Sequence, residues 1–156
     1  MMDSSSDGKS QQGEKTIKPL KILITKRANY TMTIIEKVNP GTPIAGPYSP
    51  GIKAGELLFV SGQGAAPGTE GIKDQTISVL ENIKKIVEAA GAKVSNIVKT
   101  TVFLSDIKDF GKMNRAYKNW FEQNGVTERF PARTTVEVAN LPVPVMLIEI
   151  DAIAAL

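Results

Sequence analysis

Two stretches of this chain are apolar on both sides of an extended backbone, and they constrain the fold more than any other feature. Ile97 to Leu104 reads IVKTTVFL and is rich in β-branched residues, which favour strands. Residues 145–156 read VMLIEIDAIAAL, with a strand expected over Val145–Ile153. A strand that is apolar on both faces has to be covered twice. Only two segments have the helical spacing to do the covering. In the first, Ile77, Leu80, Ile83, Val87 and Ala90 form a stripe. Asp74 is its expected cap, the helix runs to Ala90, and Gly91 stops it. The second has the stripe Phe110, Met113, Tyr117, Trp120, Phe121; it opens at Asp106 or Asp109 and ends near Gly125. Further strands are expected over Thr33–Val38, Leu57–Ser61 with a weak partner near Ile52, and Ala132–Val138. The order β-β-α-β-α-β-β, with five or six strands, implies an α+β fold with two helices on one face of a mixed sheet. The second face is left bare. A bare apolar face predicts burial against another subunit.

Composition removes several kinds of chemistry. The 156 residues contain neither Cys nor His. Disulfides, thiol catalysis and iron–sulfur ligation are excluded, as are nearly all zinc sites and any Ser-His or Cys-His dyad. No apolar run reaches the ~18–20 residues that span a membrane. The length suits a single domain, expected over residues 32–156. Residues 1–31 read as a tag or loose extension, with 1–15 disordered; their short apolar run and upstream acids argue against a signal peptide. The sequon at Asn29 carries no weight without one. Those 31 residues hold six cations and three acids, which accounts for the whole chain's net charge of +3. The body is neutral, 13 cations against 13 acids, which argues against a nucleic-acid partner.

The remaining chemistry falls to a few polar residues. Arg133 opens a strand in FPARTTVEV, where alternation puts it on one face with Thr135 and Glu137. An arginine at a strand mouth is a bidentate clamp for a carboxylate; the alternative is an ion pair with Glu137. Glu149 shares a face with Leu147, Asp151 and Ile153 in a strongly apolar strand. Desolvation there raises its pKa and suits acid–base work, unless that face is simply solvated. Tyr48 and Ser49 lie in the proline-fixed loop AGPYSPG, where Tyr48 either closes over a small ligand or packs on a subunit edge. Gly62, Gly64 and Gly68 follow a strand in VSGQGAAPG, a weak match to a phosphate loop and a place where a ligand could approach the backbone. Asn114 lies on the second helix, and pattern alone makes it an exposed helix asparagine. The aromatic stripe reads as core.

Taken together and in order, AGPYSPG, LLFVSGQ, QTISVLENIKKIVEAAGAKVSNIVKTTVFLSDIKDFGKMNRAY, FPARTTVEVANLP and IEIDAIA resemble the YjgF/YER/UK (Rid) family over about residues 33–156. The similarity is greatest to its reactive intermediate deaminase A branch. The resemblance implies a chorismate-mutase-like subunit in a homotrimer, with ligand clefts between subunits. It implies cytoplasmic, cofactor-free and metal-free hydrolysis of 2-enamino and 2-imino acids, such as 2-aminoacrylate, to 2-keto acids and ammonia. Residue by residue, it makes Arg133 the carboxylate grip and Glu149 the acid that handles water and protons. Tyr48 becomes a cleft residue from the adjoining subunit, Asn114 a supporting group and Gly62 a backbone contact. Thr135 stands where the family often has Cys. One departure is visible: LPVPVMLIE makes the chain one residue longer than the family pattern between Arg133 and Glu149. A register shift would turn Glu149 to the wrong face, so the extra residue is expected in the Pro142–Pro144 loop. The deaminase reading requires the guanidinium and the carboxyl to converge on one crevice between protomers; it expects both groups on one side of the sheet, and a chain that does not stay a lone protomer. Its competitors are a keto-acid-binding regulatory trimer and an RNA-directed translation inhibitor or ribonuclease.

Overall fold

The structure, a computed structural model, describes residues 34–41 and 44–156. The expectations for residues 1–31, Met32 and Thr33 lie outside the described residues. Six strands form one sheet: β1 (Ile35–Val38), β2 (Gly51–Ala54), β3 (Leu57–Gln63), β4 (Ile97–Leu104), β5 (Ala132–Glu137) and β6 (Ile148–Ala155). Two helices, α1 (Ile72–Ala89) and α2 (Phe110–Gln123), complete the fold. The α+β class and the mixed sheet are as expected. The weak segment near Ile52 is a full strand, so the order gains one β element. The strands lie in the order β1-β2-β3-β6-β4-β5. All pairings are antiparallel except β4 with β5, which the α2 crossover makes parallel.

Both helices sit on one face. Leu58, Val60, Val102, Leu104, Ile148, Ile150, Ala152 and Ala154 point at them and are buried. They meet Val79, Leu80, Ile83, Ile86 and Val87 from α1 and Met113, Tyr117, Trp120 and Phe121 from α2. The predicted stripes are therefore core, except that Phe110 is exposed and Ile77 only partly buried. The other face of the sheet is bare in the single chain. Leu57, Phe59 and Val136 lie on it, each about two-fifths exposed at 40%, 43% and 39%.

The start of α1 differs from the sequence expectation, and that of α2, with Asp109 at its N-cap, agrees with it. Asp74 does not cap α1. Gly71 holds the N-cap with φ +73° and no side-chain bond, while Asp74 lies in the first turn. An aspartate there still favours the positive end of the helix dipole. Asp106 Oδ1 accepts from the Lys108 amide and caps a short 3-10 turn (Ile107–Asp109) that leads into α2. The stops are as expected. Gly91 takes φ +85° and Gly125 φ +82°, the left-handed conformation that ends helices cheaply only at glycine.

Candidate functional site

The parallel register of β5 decides where Arg133 points. Arg133 stands opposite Thr100 of β4, and Thr100 is fully buried on the helix-covered face. Arg133 therefore emerges on the covered face, at the sheet's edge, beside α2. Its Nη2 donates to Asn114 Oδ1 at 2.6 Å. Its Cζ lies 4.6 Å from the centre of the Tyr117 ring and 5.8 Å from that of Phe110, both within cation–π range. Asn114, Tyr117, Lys118, Phe130, Pro131 and Arg133 line a hollow of about 280 Å³. No carboxylate pairs with Arg133 among the described residues. Glu137, the alternative partner, instead accepts from the Ile107 amide at 2.8 Å. Thr135 sits on the same face, opposite Val102, and its Oγ1 is buried with no hydrogen-bond partner among the described residues. Asn114 is thus not an idle helix asparagine.

Glu149 is on the opposite side of the sheet. It stands opposite Phe103, one residue out of phase with Val102 and Leu104, and so faces away from the helices. Here the sequence expectation needs correction: the guanidinium and the carboxyl, expected on one side of the sheet, leave it on opposite sides, and within one chain they do not converge. Alternation along each strand separates two faces, but only the cross-strand register says which face is which. Glu149 lies instead with Tyr48, Ser61, Gly62, Gly64, Val143 and Met146 around a hollow of about 530 Å³.

Local irregularity builds this second hollow. Between Val60 and Gln63 the β3–β6 register slips, and β3 carries one extra residue. Such a bulge re-aims the side chains around it. It brings the Gly62 backbone so close to Glu149 that a Cβ there would overlap Glu149 Oε1. The close approach anticipated for a ligand is thus already made by a side chain. A Cβ on Gly64 would stand 2.8 Å from Met146 Cε. Ser61 Oγ donates to the Ser49 carbonyl at 2.7 Å and ties the Tyr48 loop to β3. Residues 138–147, which include Pro142 and Pro144, join β5 to β6. Gln75 of α1, buried, clamps this loop. Its Nε2 donates to the Thr69 and Val145 carbonyls at 3.1 and 3.0 Å, and its Oε1 accepts from the Leu147 amide at 2.8 Å. Glu149 shares its face with Asp151 and Ile153, which stand opposite Thr101 and Lys99 of β4. Gln75 and Met146 were not anticipated; a lone glutamine on a helix carries no signal until its three partners are known.

The carboxyl of Glu149 is held above the usual carboxylate range, first by burial and then by the like charge of Asp151. Asp151 Oδ1 accepts from the Thr101 amide at 3.0 Å. The Tyr117 phenol is pushed up by burial, against the opposing pull of its Thr100 hydrogen bond and the Arg133 charge. Among the described residues no group of three or more acids stands close enough to hold a metal ion. No helix among them is long and apolar enough to cross a membrane. One hollow therefore offers a cation with no carboxylate partner among the described residues, and the other a carboxyl held above the usual carboxylate range.

Residues 40–156 match the family model described as Endoribonuclease L-PSP. The chain is 48% identical over 127 residues to a RutC family protein of Pyrococcus horikoshii, spanning 78% of this chain and 95% of that one. It is 48% identical over 114 residues to the 2-iminobutanoate/2-iminopropanoate deaminase of Salmonella typhimurium, spanning 70% and 87%. Among solved structures, Escherichia coli TdcF with bound serine superposes with a TM-score of 0.70 at 38% identity, over 78% of this chain and 98% of that one.

Proposed function

The chain belongs to the Endoribonuclease L-PSP family, that of the YjgF and RutC proteins, and from that premise we propose that it hydrolyses 2-imino and 2-enamino acids to 2-keto acids and ammonia. The relatives named as deaminases support the reaction. The observation that carries it to these residues is the Arg133 guanidinium, seated on Tyr117 and Asn114 and without a carboxylate partner among the described residues. The site is shared between copies. One supplies Arg133, Asn114 and Thr135, and its neighbour supplies Glu149, Tyr48 and Gly62. The bare apolar sheet face supports association, and the family resemblance supports a homotrimer acting in the cytoplasm.

In this site Arg133 grips the substrate carboxylate through two N–H groups, which fixes the imine carbon against a water. The imine carbon is electrophilic, the more so once nitrogen is protonated. Glu149, ionised, takes a proton from the water as its oxygen bonds to that carbon and the C=N π pair moves to nitrogen, giving a neutral carbinolamine. Glu149 returns that proton to nitrogen, then takes the hydroxyl proton as C=O forms and the C–N bond breaks. Ammonia leaves behind a 2-keto acid and carries off the last proton as ammonium, which restores the ionised Glu149. Proton transfer of this kind contributes ~10²–10⁴-fold. Thr135 is available to hydrogen-bond the water or the amine. The family's description as Endoribonuclease L-PSP also carries an RNA-cleaving reading, against which the neutral body stands.

The test is complementation. Arg133→Ala and Glu149→Gln should each abolish pyruvate release from freshly generated 2-aminoacrylate, and only the first should abolish keto-acid binding. Co-expressed, the two variants should recover activity, because random assembly leaves about one interface in four with both native groups. Failure to recover any activity from the mixed oligomer would overturn the shared site.

A further inference from the structure

The ring beneath the guanidinium has no part in the chemistry above, yet it is among the most firmly held groups on the covered face. Tyr117 is 3% exposed. Its Oη shares a 2.9 Å hydrogen bond with Thr100 Oγ1, itself fully buried. Thr100 is the residue directly opposite Arg133 in the β4–β5 register. Strand, helix and neighbouring strand are thus joined through one side chain: Thr100 holds the phenol, and the face of the same ring lies 4.6 Å from Arg133 Cζ. Packing alone does not call for this arrangement. A Phe–Val pair of similar shape would fill the same space, and replacing both partners of a buried hydrogen bond by apolar groups is close to neutral. The hydrogen bond adds a fixed position for the ring. A guanidinium usually takes its orientation from an acid. Arg133 has none among the described residues, and Asn114 accounts for one of its five N–H donors.

We propose that Tyr117 is a positioning residue that sets the height and plane of the Arg133 guanidinium through its ring. The inference rests on Arg133 being the carboxylate grip. The phenol itself transfers no proton to substrate, because it is turned into the core toward Thr100. The ring face does the work, leaving the outer N–H groups of Arg133 free to meet a carboxylate in a bidentate way.

The experiment measures pyruvate affinity by calorimetry, steady-state kinetics and melting temperature for the assembled protein and its variants. Tyr117→Leu removes the ring and should weaken pyruvate binding and raise KM about tenfold, the size of a desolvated cation–π contact, with kcat changed less than about threefold. Tyr117→Phe keeps the ring but orphans the Thr100 hydroxyl. It should lower the melting temperature while holding pyruvate affinity within about threefold of wild type. Adding Thr100→Val to Tyr117→Phe should restore the melting temperature. Affinity that follows melting temperature across the three variants would make Tyr117 merely structural and overturn the inference. Should the Leu variant fail to fold, Tyr117→Met carries the same comparison. Arg133→Ala separates the two readings. If it binds pyruvate like wild type, the carboxylate grip fails and takes this inference with it. If it loses binding while Tyr117→Leu keeps it, only the positioning role fails.

Discussion

The two faces of the sheet treat their charged groups differently. On the covered face, Arg133 is positioned by its own chain: Asn114 accepts from one N–H, Tyr117 lies under the cation, and Thr100 holds Tyr117. On the bare face, Glu149 makes no hydrogen bond to another described residue and lies against the Gly62 backbone, with Asp151 as its like-charged neighbour. The cation is oriented by its own chain, while the carboxyl has no hydrogen bond to another described residue and is held above the usual carboxylate range. On the proposed reading the contrast is a division of labour: a binding group and a reacting group prepared on opposite sides of one layer, for a second copy to bring together.

The largest test of this contrast is Glu149→Gln. It should lower turnover by ~10²–10⁴-fold while leaving keto-acid affinity intact, measured by ammonia release and calorimetry on the same preparation. Equal loss of affinity and turnover would erase the division of labour between the faces. Next comes Gly62→Ala. Its methyl group would displace the Glu149 carboxyl, and misplacement by about 1 Å is expected to cost ~10² in kcat; the Arg133 side, read as pyruvate affinity, should be unmoved. The smallest effect is on pH dependence. Glu149 works ionised, so activity should fall on the acid side through a pKa above the usual carboxylate range. Asp151→Asn should move that limb to lower pH without abolishing the displacement, since burial is the larger cause. The sign carries over to stability. A carboxyl whose folded pKa is raised favours folding when protonated, and that contribution is lost as pH rises through the folded value. Unfolding curves across that window should therefore flatten in Asp151→Asn.

Much of the fold was legible because it depends on local rules. The stripes of α1 and α2 repeat with helical period, and Gly91 and Gly125 stop them as a left-handed residue should. The start of α1 was missed because Asp74 offers the commoner cap, whereas Gly71 takes a backbone angle that no periodicity reveals. The site residues were legible one at a time and not as a set. Alternation separates Arg133 from Thr134 and Glu149 from Ile150, but it does not place Arg133 opposite Thr100 or Glu149 opposite Phe103. Those pairings come from the parallel crossover and the strand order, which are long-range. Tyr117 was hidden by its own regularity. It is a core residue by spacing and by burial, and its second role shows only when Arg133 lies over its ring.

A guanidinium with no acid partner among the described residues is also open to small anions from the medium. On the proposed reading, chloride and inorganic phosphate would therefore compete with the substrate carboxylate for Arg133.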